Sequence, residues 1–131
     1  MANPGGLVPD RAHPLAGRRI LVVEDEYLIA MEVKRWLQAA GSKVLGPVPS
    51  VHQALDLIED DRPDAAVLDV NLGDGDTVYP VATRLGSLEV PYLFVTGDVR
   101  VTGTGAEAGG PQLEKPFLET ELVLALVRLL N

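Results

Sequence analysis

The sequence predicts one doubly wound α/β domain built on a parallel sheet of five strands. Short apolar runs, typical of strands buried on both faces, alternate with segments whose apolar residues recur at helical spacing. The chain has 131 residues, 47% of them hydrophobic, which is enough to bury one compact core. Strands that alternate with helices favour parallel pairing, right-handed crossovers and helices on both faces of the sheet.

The elements can be placed in chain order. The predicted strands are 20–23, 44–48, 65–69, 90–95 and 112–113, and the predicted helices are 26–40, 51–58, 77–85 and 118–130. Residues 1–17 are rich in proline and glycine and are expected to form a flexible leader. The glycines between 97 and 111 predict that the fourth of five helices, at 104–108, is short or disordered.

Local signals support several of these elements. The first helix is predicted to be closed by Gly41 and to bury one apolar face, formed by Leu28, Ile29, Val33, Trp36 and Leu37. Ser50 and Gln53 have the spacing of a capping box at the start of the second helix. Pro47 predicts that the second strand lies at an edge of the sheet.

Composition excludes several classes of function. A formal net charge of −8 argues against non-specific binding to nucleic acid or to an anionic membrane. The absence of cysteine excludes disulfides, thiolate metal sites and cysteine nucleophiles. No apolar run reaches the roughly 18–20 residues that cross a bilayer, and no signal-peptide core is present. A soluble, cytoplasmic protein is the resulting expectation.

Charged and hydroxyl side chains gather where the predicted strands end. They are Glu24, Asp25, Glu26, Asp69, Thr96 and Lys115. The carboxyl ends of parallel strands share one edge of the sheet, where ligands collect. Clustered carboxylates repel one another and therefore favour a cation, and Mg²⁺ suits oxygen ligands and phosphoryl groups. Asp69 is then placed as a nucleophile that forms an aspartyl phosphate, while Lys115 and Thr96 stabilise the transferring charge.

At these residues the sequence resembles the receiver domains of two-component response regulators. The likeness is carried by four stretches in the family's order: LVVEDE, AVLDVNLGDG, PYLFVTGD and LEKPF. It covers the chain from Arg18 to Asn131 and implies the flavodoxin-like receiver fold. PYLFVTGD is also similar to the fourth strand of an atypical subclass with a PFxFATG-type motif.

The resemblance implies a role for each site residue. Asp69 would be the phosphoacceptor, Thr96 and Lys115 would contact the phosphoryl group, and the Lys115–Pro116 bond would be cis. The implied Mg²⁺ ligands are Glu24, acting through water, Asp25, Asp69 and the backbone carbonyl of Asn71.

The implied function is that of a bacterial stand-alone phosphoacceptor. Because one helix follows Lys115, no output domain is expected after it. The chain would take a phosphoryl group from a sensor histidine kinase or a histidine phosphotransfer protein and signal by docking, without being an enzyme beyond its own phosphorylation and dephosphorylation. The apolar residues of the last helix predict association with a partner or a second copy.

The sequence also departs from the family's pattern. The aromatic residue that usually precedes the lysine falls near Gln112 here. We therefore expect phosphorylation to order the segment from Gly97 to Gly110 instead of turning a ring.

Simpler interpretations remain for single residues. Asp25 alone could be a charge at a helix N-terminus, and Lys115 alone a solvated side chain. Two other functions stay open as well: a pseudo-receiver that docks without phosphorylation, and a small Mg²⁺-dependent aspartyl-phosphate hydrolase. Asn71, where such a hydrolase has a second aspartate, argues against the latter.

Overall fold

The computed structural model describes residues 12–73, 75–97 and 111–131. In chain order its elements are β1 (Arg19–Val23), α1 (Tyr27–Ala39), β2 (Lys43–Val48), α2 (Val51–Asp60), β3 (Ala65–Asp69), α3 (Tyr79–Ser87), β4 (Tyr92–Thr96), β5 (Gln112–Glu114) and α4 (Glu119–Leu130). The five strands form one sheet in the order β2-β1-β3-β4-β5, and every pairing between them is parallel. The predicted fold class is confirmed. The short helix predicted at 104–108 lies outside the described residues.

Alternate side chains of the inner strands point to opposite faces of the sheet and form two hydrophobic cores, one on each face. One core joins the strands to α2 and α3 and includes Leu21, Val23, Ala66, Leu68 and Phe94. The other joins them to α1 and α4 and includes Ile20, Val22, Val67, Leu93 and Val95. Full burial contributes about 1.5–3 kcal/mol for each large apolar side chain, so the uninterrupted apolar runs hold the sheet between two helical layers.

The register of the sheet aligns the ends of four strands. Val23 pairs with Leu68, Asp69 pairs with Val95, and Thr96 pairs with Glu114. The residues that follow these pairs therefore lie side by side along one edge. The backbone N–H of Lys115 donates to the carbonyl of Thr96 at 2.8 Å, which fixes the lysine at that edge.

Several element boundaries differ from the sequence prediction by one or two residues. Helix α3 begins at Tyr79 instead of residue 77, because Thr77 forms an isolated antiparallel bridge with Asn71. Strand β4 begins at Tyr92, while Val90 still donates its N–H to the last turn of α3. The edge position of β2 is confirmed.

The predicted Ser50 cap of α2 and the predicted glycine turn after α1 are also present. At the start of α2, Ser50 Oγ accepts from the N–H of Gln53 at 3.2 Å and donates to the Gln53 side chain at 3.0 Å. Gly41 follows α1 with a φ of +96°. A Cβ on Gly41 would lie 2.9 Å from the Cβ of His13, so this turn requires glycine in both conformation and space.

The prediction that Leu28 belongs to the buried face of α1 is wrong. Its side chain is 80% exposed, whereas Val33 and Leu37 are buried. Leu28 lies about 140° around the helix axis from Val33, because an α-helix turns about 100° per residue. Ile29 and Trp36 are half-buried at the margin of the core.

Part of the predicted leader can be located. Residues 1–11 lie outside the described residues, but Leu15 is buried and packs in the core beneath α1. Its N–H donates to the carbonyl of Ala40 at 2.9 Å. Packing against the core thus starts before Arg18, the residue at which the sequence predicts that the fold begins.

Candidate functional site

Buried polar side chains concentrate at the carboxyl edge of the sheet. Glu24, Asp69 and Thr96 are 6%, 4% and 3% exposed, and within the described part of the chain Ser42 is the one other buried polar residue. Each of these residues lies at or directly after the carboxyl end of a different strand: β1, β3 or β4. They lie together because the apolar runs of the three strands stop at the same edge. The predicted convergence of these residues is therefore observed.

Three carboxylates form a compact cluster at this edge. One oxygen each from Glu24, Asp25 and Asp69 lies within 4.8 Å of the others, with Asp25 at the exposed side. Burial and the negative charge of Glu24 raise the pKa of Asp69 to about 8, although Lys115 opposes the shift. Three acids at this spacing offer the oxygen donors that a hard cation such as Mg²⁺ prefers, so the chemistry of the site fits the ion predicted from the sequence.

Lys115 lies across the cluster with its side chain 15% exposed. Its Nζ is 3.2 Å from Glu24 Oε1, 3.3 Å from Glu26 Oε1 and 3.4 Å from Asp69 Oδ1. Burial alone would lower the pKa of Lys115, but the carboxylates of Asp69 and Glu24 outweigh burial and hold it above its ordinary value. The ammonium group is therefore a fixed positive charge beside Asp69.

The loop after β3 passes close to the acidic cluster. Gly73 has a φ of +83°, and a Cβ there would lie 3.2 Å from Asp25 Oδ2. The N–H of Asp76 donates to the carbonyl of Gly73 at 2.9 Å, which makes a tight turn. The acidic, glycine-rich sequence after Asp69 thus lets the backbone pass close to Asp25. The predicted role of the Asn71 carbonyl as a metal ligand stays a prediction.

The sequence predicts Glu26 at this edge but indicates no role for it. In the structure its carboxylate reaches Lys115, which lies 89 positions later in the chain. Its N–H also donates to Glu24 Oε2 at 3.1 Å. The one sequence signal for this contact is that Glu26 directly follows the acidic pair Glu24 and Asp25. The predicted cis bond between Lys115 and Pro116 is confirmed.

The family assignment rests on the sequence as well as the fold. Residues 20–127 match the response regulator receiver domain. The chain belongs to this family. It is 32% identical over 115 residues to the transcriptional regulatory protein PdtaR of Mycobacterium tuberculosis, which covers 83% of this chain and 55% of PdtaR. It is 34% identical over 79 residues to the phyllosphere-induced regulator PhyR of Methylorubrum extorquens, covering 59% of this chain and 30% of PhyR.

Solved receiver structures superpose on this receiver domain. The response regulator PhyR from Brucella abortus gives a TM-score of 0.77 at 28% identity, covering 88% of this chain and 48% of PhyR. The receiver domain of Erythrobacter litoralis PhyR gives 0.79 at 26% identity, covering 88% and 92%. The chain spans about half the length, or less, of the full-length relatives that it matches. Within the described residues, no helix has the length and hydropathy to cross a membrane.

Proposed function

We propose that this receiver domain accepts a phosphoryl group on Asp69 from a histidine kinase or a histidine phosphotransfer protein, with Mg²⁺ bound at the acidic cluster. The observation that carries the proposal is the position of Lys115 Nζ, 3.4 Å from Asp69 Oδ1, beside three carboxylates within 4.8 Å of one another. A buried nucleophile, a fixed positive charge and a set of cation ligands are the parts that phosphoryl transfer needs.

The transfer follows from these parts. A carboxylate oxygen of Asp69 attacks phosphorus, the new O–P bond forms, and the P–N bond to the donor histidine breaks with its electron pair returning to the imidazole. Lys115 and the hydroxyl of Thr96 stabilise the charge on the phosphoryl oxygens. Mg²⁺, held by Asp25 and Asp69 with Glu24 behind them, would neutralise charge on the phosphoryl group and favour the ionised form of Asp69.

We further propose that the chain is not an enzyme acting on a separate substrate. The phosphoryl group becomes covalently attached to Asp69, and the domain assists only the formation and hydrolysis of that bond. Its output is then an interaction with another protein.

The donor is proposed to dock at the start of α1. Tyr27 and Leu28 are 71% and 80% exposed and directly follow Glu26, which contacts Lys115. Trp36 and Phe117 meet edge to face, with ring centroids 6.1 Å apart, and join α1 to the segment after Lys115. Exposed apolar side chains next to the reacting group suit a partner that must bring a phosphohistidine to Asp69.

A second surface is proposed on α4. Leu118 and Leu124 are 67% and 49% exposed, although Leu122 and Leu126 are buried in the core. The helix therefore has apolar residues on both its inner and its outer side. We propose that the outer side supports homodimerisation or the binding of an output partner.

We assign the domain to the PFxFATG-type subclass as part of the same proposal. The stretch PYLFVTG supports it, and Phe94 is buried between Tyr79 and Tyr92, with ring centroids 5.7 and 5.3 Å away. The expected ordering of residues 97–110 by phosphorylation falls almost wholly outside the described residues and stays a prediction.

Intact-mass spectrometry tests the proposed function. Wild type, Asp69→Asn and Asp64→Asn are incubated with acetyl phosphate, with Mg²⁺ or with EDTA. The proposal predicts one phosphoryl adduct in wild type and in Asp64→Asn, only with Mg²⁺, and none in Asp69→Asn. Asp64 is the matched control because it precedes the same strand that Asp69 ends.

Two outcomes would contradict the proposal. Failure of every donor, including a phosphorylated phosphotransfer protein, to modify wild type would favour a pseudo-receiver that only docks. Steady release of phosphate from small phosphate esters would favour an aspartyl-phosphate hydrolase.

A further inference from the structure

Lys115 has as many carboxylate neighbours as it has N–H hydrogens. An ammonium group offers three donors. Glu24, Glu26 and Asp69 each place an oxygen 3.2–3.4 Å from its Nζ. Two of these contacts, to Glu24 and Glu26, are hydrogen bonds. A phosphoryl oxygen bound by Lys115 therefore competes with these carboxylates for the ammonium group.

The three carboxylates differ in how easily they can leave. The side chains of Glu24 and Asp69 are 5% and 6% exposed, whereas that of Glu26 is 61% exposed. A buried carboxylate that loses its partner is left without solvation, whereas an exposed one is rehydrated at once. Exposed ion pairs are also weak. Glu26 is therefore the neighbour that a phosphoryl group displaces most easily.

We propose that Glu26 is a positioning residue that occupies Lys115 in the unphosphorylated domain and is displaced by the incoming phosphoryl group. This inference rests on the proposed function of Asp69 and Lys115. The Glu26 carboxylate holds the ammonium group at the mouth of the site and competes with a phosphate for it. Glu26 therefore sets how readily a donor engages the site, and it acts through its contact with Lys115.

The backbone and the side chain of Glu26 make different contacts, so a substitution can remove the side-chain contact alone. Its N–H donates to Glu24 Oε2 at 3.1 Å, and this bond does not depend on the side chain. Substitution of the side chain therefore leaves the support of Glu24 in place. Glu32 is the matched control: it is an exposed glutamate on α1, the helix that Glu26 directly precedes, and it pairs with Arg35 at 3.4 Å.

The experiment measures the initial rate of Asp69 phosphorylation against acetyl phosphate concentration, at fixed Mg²⁺ and ionic strength. The proteins are wild type, Glu26→Gln, Glu26→Asp and Glu32→Gln. We expect Glu26→Gln to lower the half-saturating donor concentration about two- to fivefold, the range of an exposed ion pair, and to leave the maximal rate unchanged. Glu26→Asp keeps the charge but is one methylene shorter, and we expect it to lower the half-saturating concentration as well. Glu32→Gln should match wild type.

The ¹H–¹⁵N signal of the Lys115 ammonium group gives an independent readout. It should differ between wild type and Glu26→Gln in the unphosphorylated proteins. The difference should disappear when beryllofluoride occupies the phosphoryl position, because Glu26 has then left Lys115.

The outcomes separate this inference from the proposed function. Equal donor dependence in wild type and Glu26→Gln, with Asp69 phosphorylated in both, would overturn the inference alone. An effect of Glu26→Gln that Glu32→Gln reproduces, or that Glu26→Asp lacks, would show general charge repulsion and would also overturn it. A complete lack of adduct in all four proteins would overturn the proposed function, and this inference with it.

Discussion

The two ends of β3 carry the same kinds of charged side chain in different proportions. At the amino end, Asp64 accepts from the backbone N–H of Arg19 at 2.7 Å and lies 3.6 Å from its guanidinium. Asp61 lies 2.5 Å from Arg19 and 3.8 Å from Lys43. Two acids there face two bases. At the carboxyl end, a single lysine faces Asp69 and two glutamates.

The pKa values of the two aspartates move in opposite directions for this reason. The N–H and guanidinium of Arg19 lower the pKa of Asp64. Burial and the nearby charge of Glu24 raise that of Asp69 to about 8. The half-exposed cluster at the amino end has equal numbers of acids and bases, so its ion pairs can serve the fold alone. The buried cluster at the carboxyl end has excess negative charge, which a bound cation would neutralise. This difference supports the proposed site at the carboxyl end of β3, where the acidic side chains outnumber the basic one.

The largest expected effect is a difference in phosphorylation rate between variants of Lys115 and Lys43. Lys115→Met should slow phosphorylation of Asp69 by acetyl phosphate about 100-fold, because it removes a fixed charge at the phosphoryl group. Lys43→Met should change the rate less than about twofold, since Lys43 belongs to the exposed amino-end cluster. Time-resolved intact-mass spectrometry measures both rates. Similar slowing in the two variants would mean that net charge, and not position, controls transfer.

Stabilisation of the protein by Mg²⁺ should depend on acidic residues at the carboxyl end of β3 and not on those at its amino end. At about 100 times its Kd, Mg²⁺ should raise the free energy of unfolding by about 2.7 kcal/mol, measured by urea denaturation. Asp25→Asn should remove most of this gain because it deletes an oxygen ligand. Asp61→Asn should keep it. A gain of the same size in Asp25→Asn would place the ion elsewhere.

The pH dependence of stability in EDTA should differ in sign between the two aspartates. Because the pKa of Asp69 is raised on folding, its contribution is fully present below the unfolded value of 3.8 and is lost as pH rises to about 8. Asp69→Asn should therefore stabilise the protein by on the order of 1–3 kcal/mol above that pH, and less in acid.

Asp64 should behave in the opposite way. Because its pKa is lowered on folding, its contribution is present above 3.8 and is lost as pH falls through the folded value. Asp64→Asn should thus lower the free energy of unfolding at neutral pH and change it little in strong acid. Parallel pH profiles for the two variants, measured by urea denaturation, would contradict the comparison.

The smallest effect is expected at the exposed amino end. Asp61→Asn should lower Tm by only about 1–3 °C, because half-exposed ion pairs contribute little to stability. Calorimetry of this variant beside wild type measures the shift. A much larger loss would mean that this cluster, too, stores substantial electrostatic energy.

The strand ends were predictable from the sequence, because uninterrupted apolar runs that stop at Asp69 and Thr96 mark buried parallel strands. The order of strand-end motifs then predicted which side chains meet. Contacts between distant segments were not predictable in the same way. Nothing local shows that Glu26 reaches Lys115 or that Leu15 joins the core, since both depend on how helices and loops pack against the sheet.

The exposure of Leu28 was missed for a related reason. Helical spacing identifies an apolar stripe, but which residues of that stripe are buried depends on how α1 is rotated against the sheet. The start of α3 shifted because Thr77 pairs with Asn71 across the loop, a contact that helix propensity does not report.

The carboxyl end of β3 holds more negative charge than its lysine balances. This imbalance can be measured by a ¹³C NMR titration of the Asp69 and Asp64 carboxyl groups, with and without Mg²⁺. We predict that Asp69 titrates near pH 8 without metal and shifts down when Mg²⁺ is added, while Asp64 titrates below its ordinary value in both conditions. An ordinary pKa for Asp69 that does not respond to Mg²⁺ would show that no such excess of negative charge acts on Asp69.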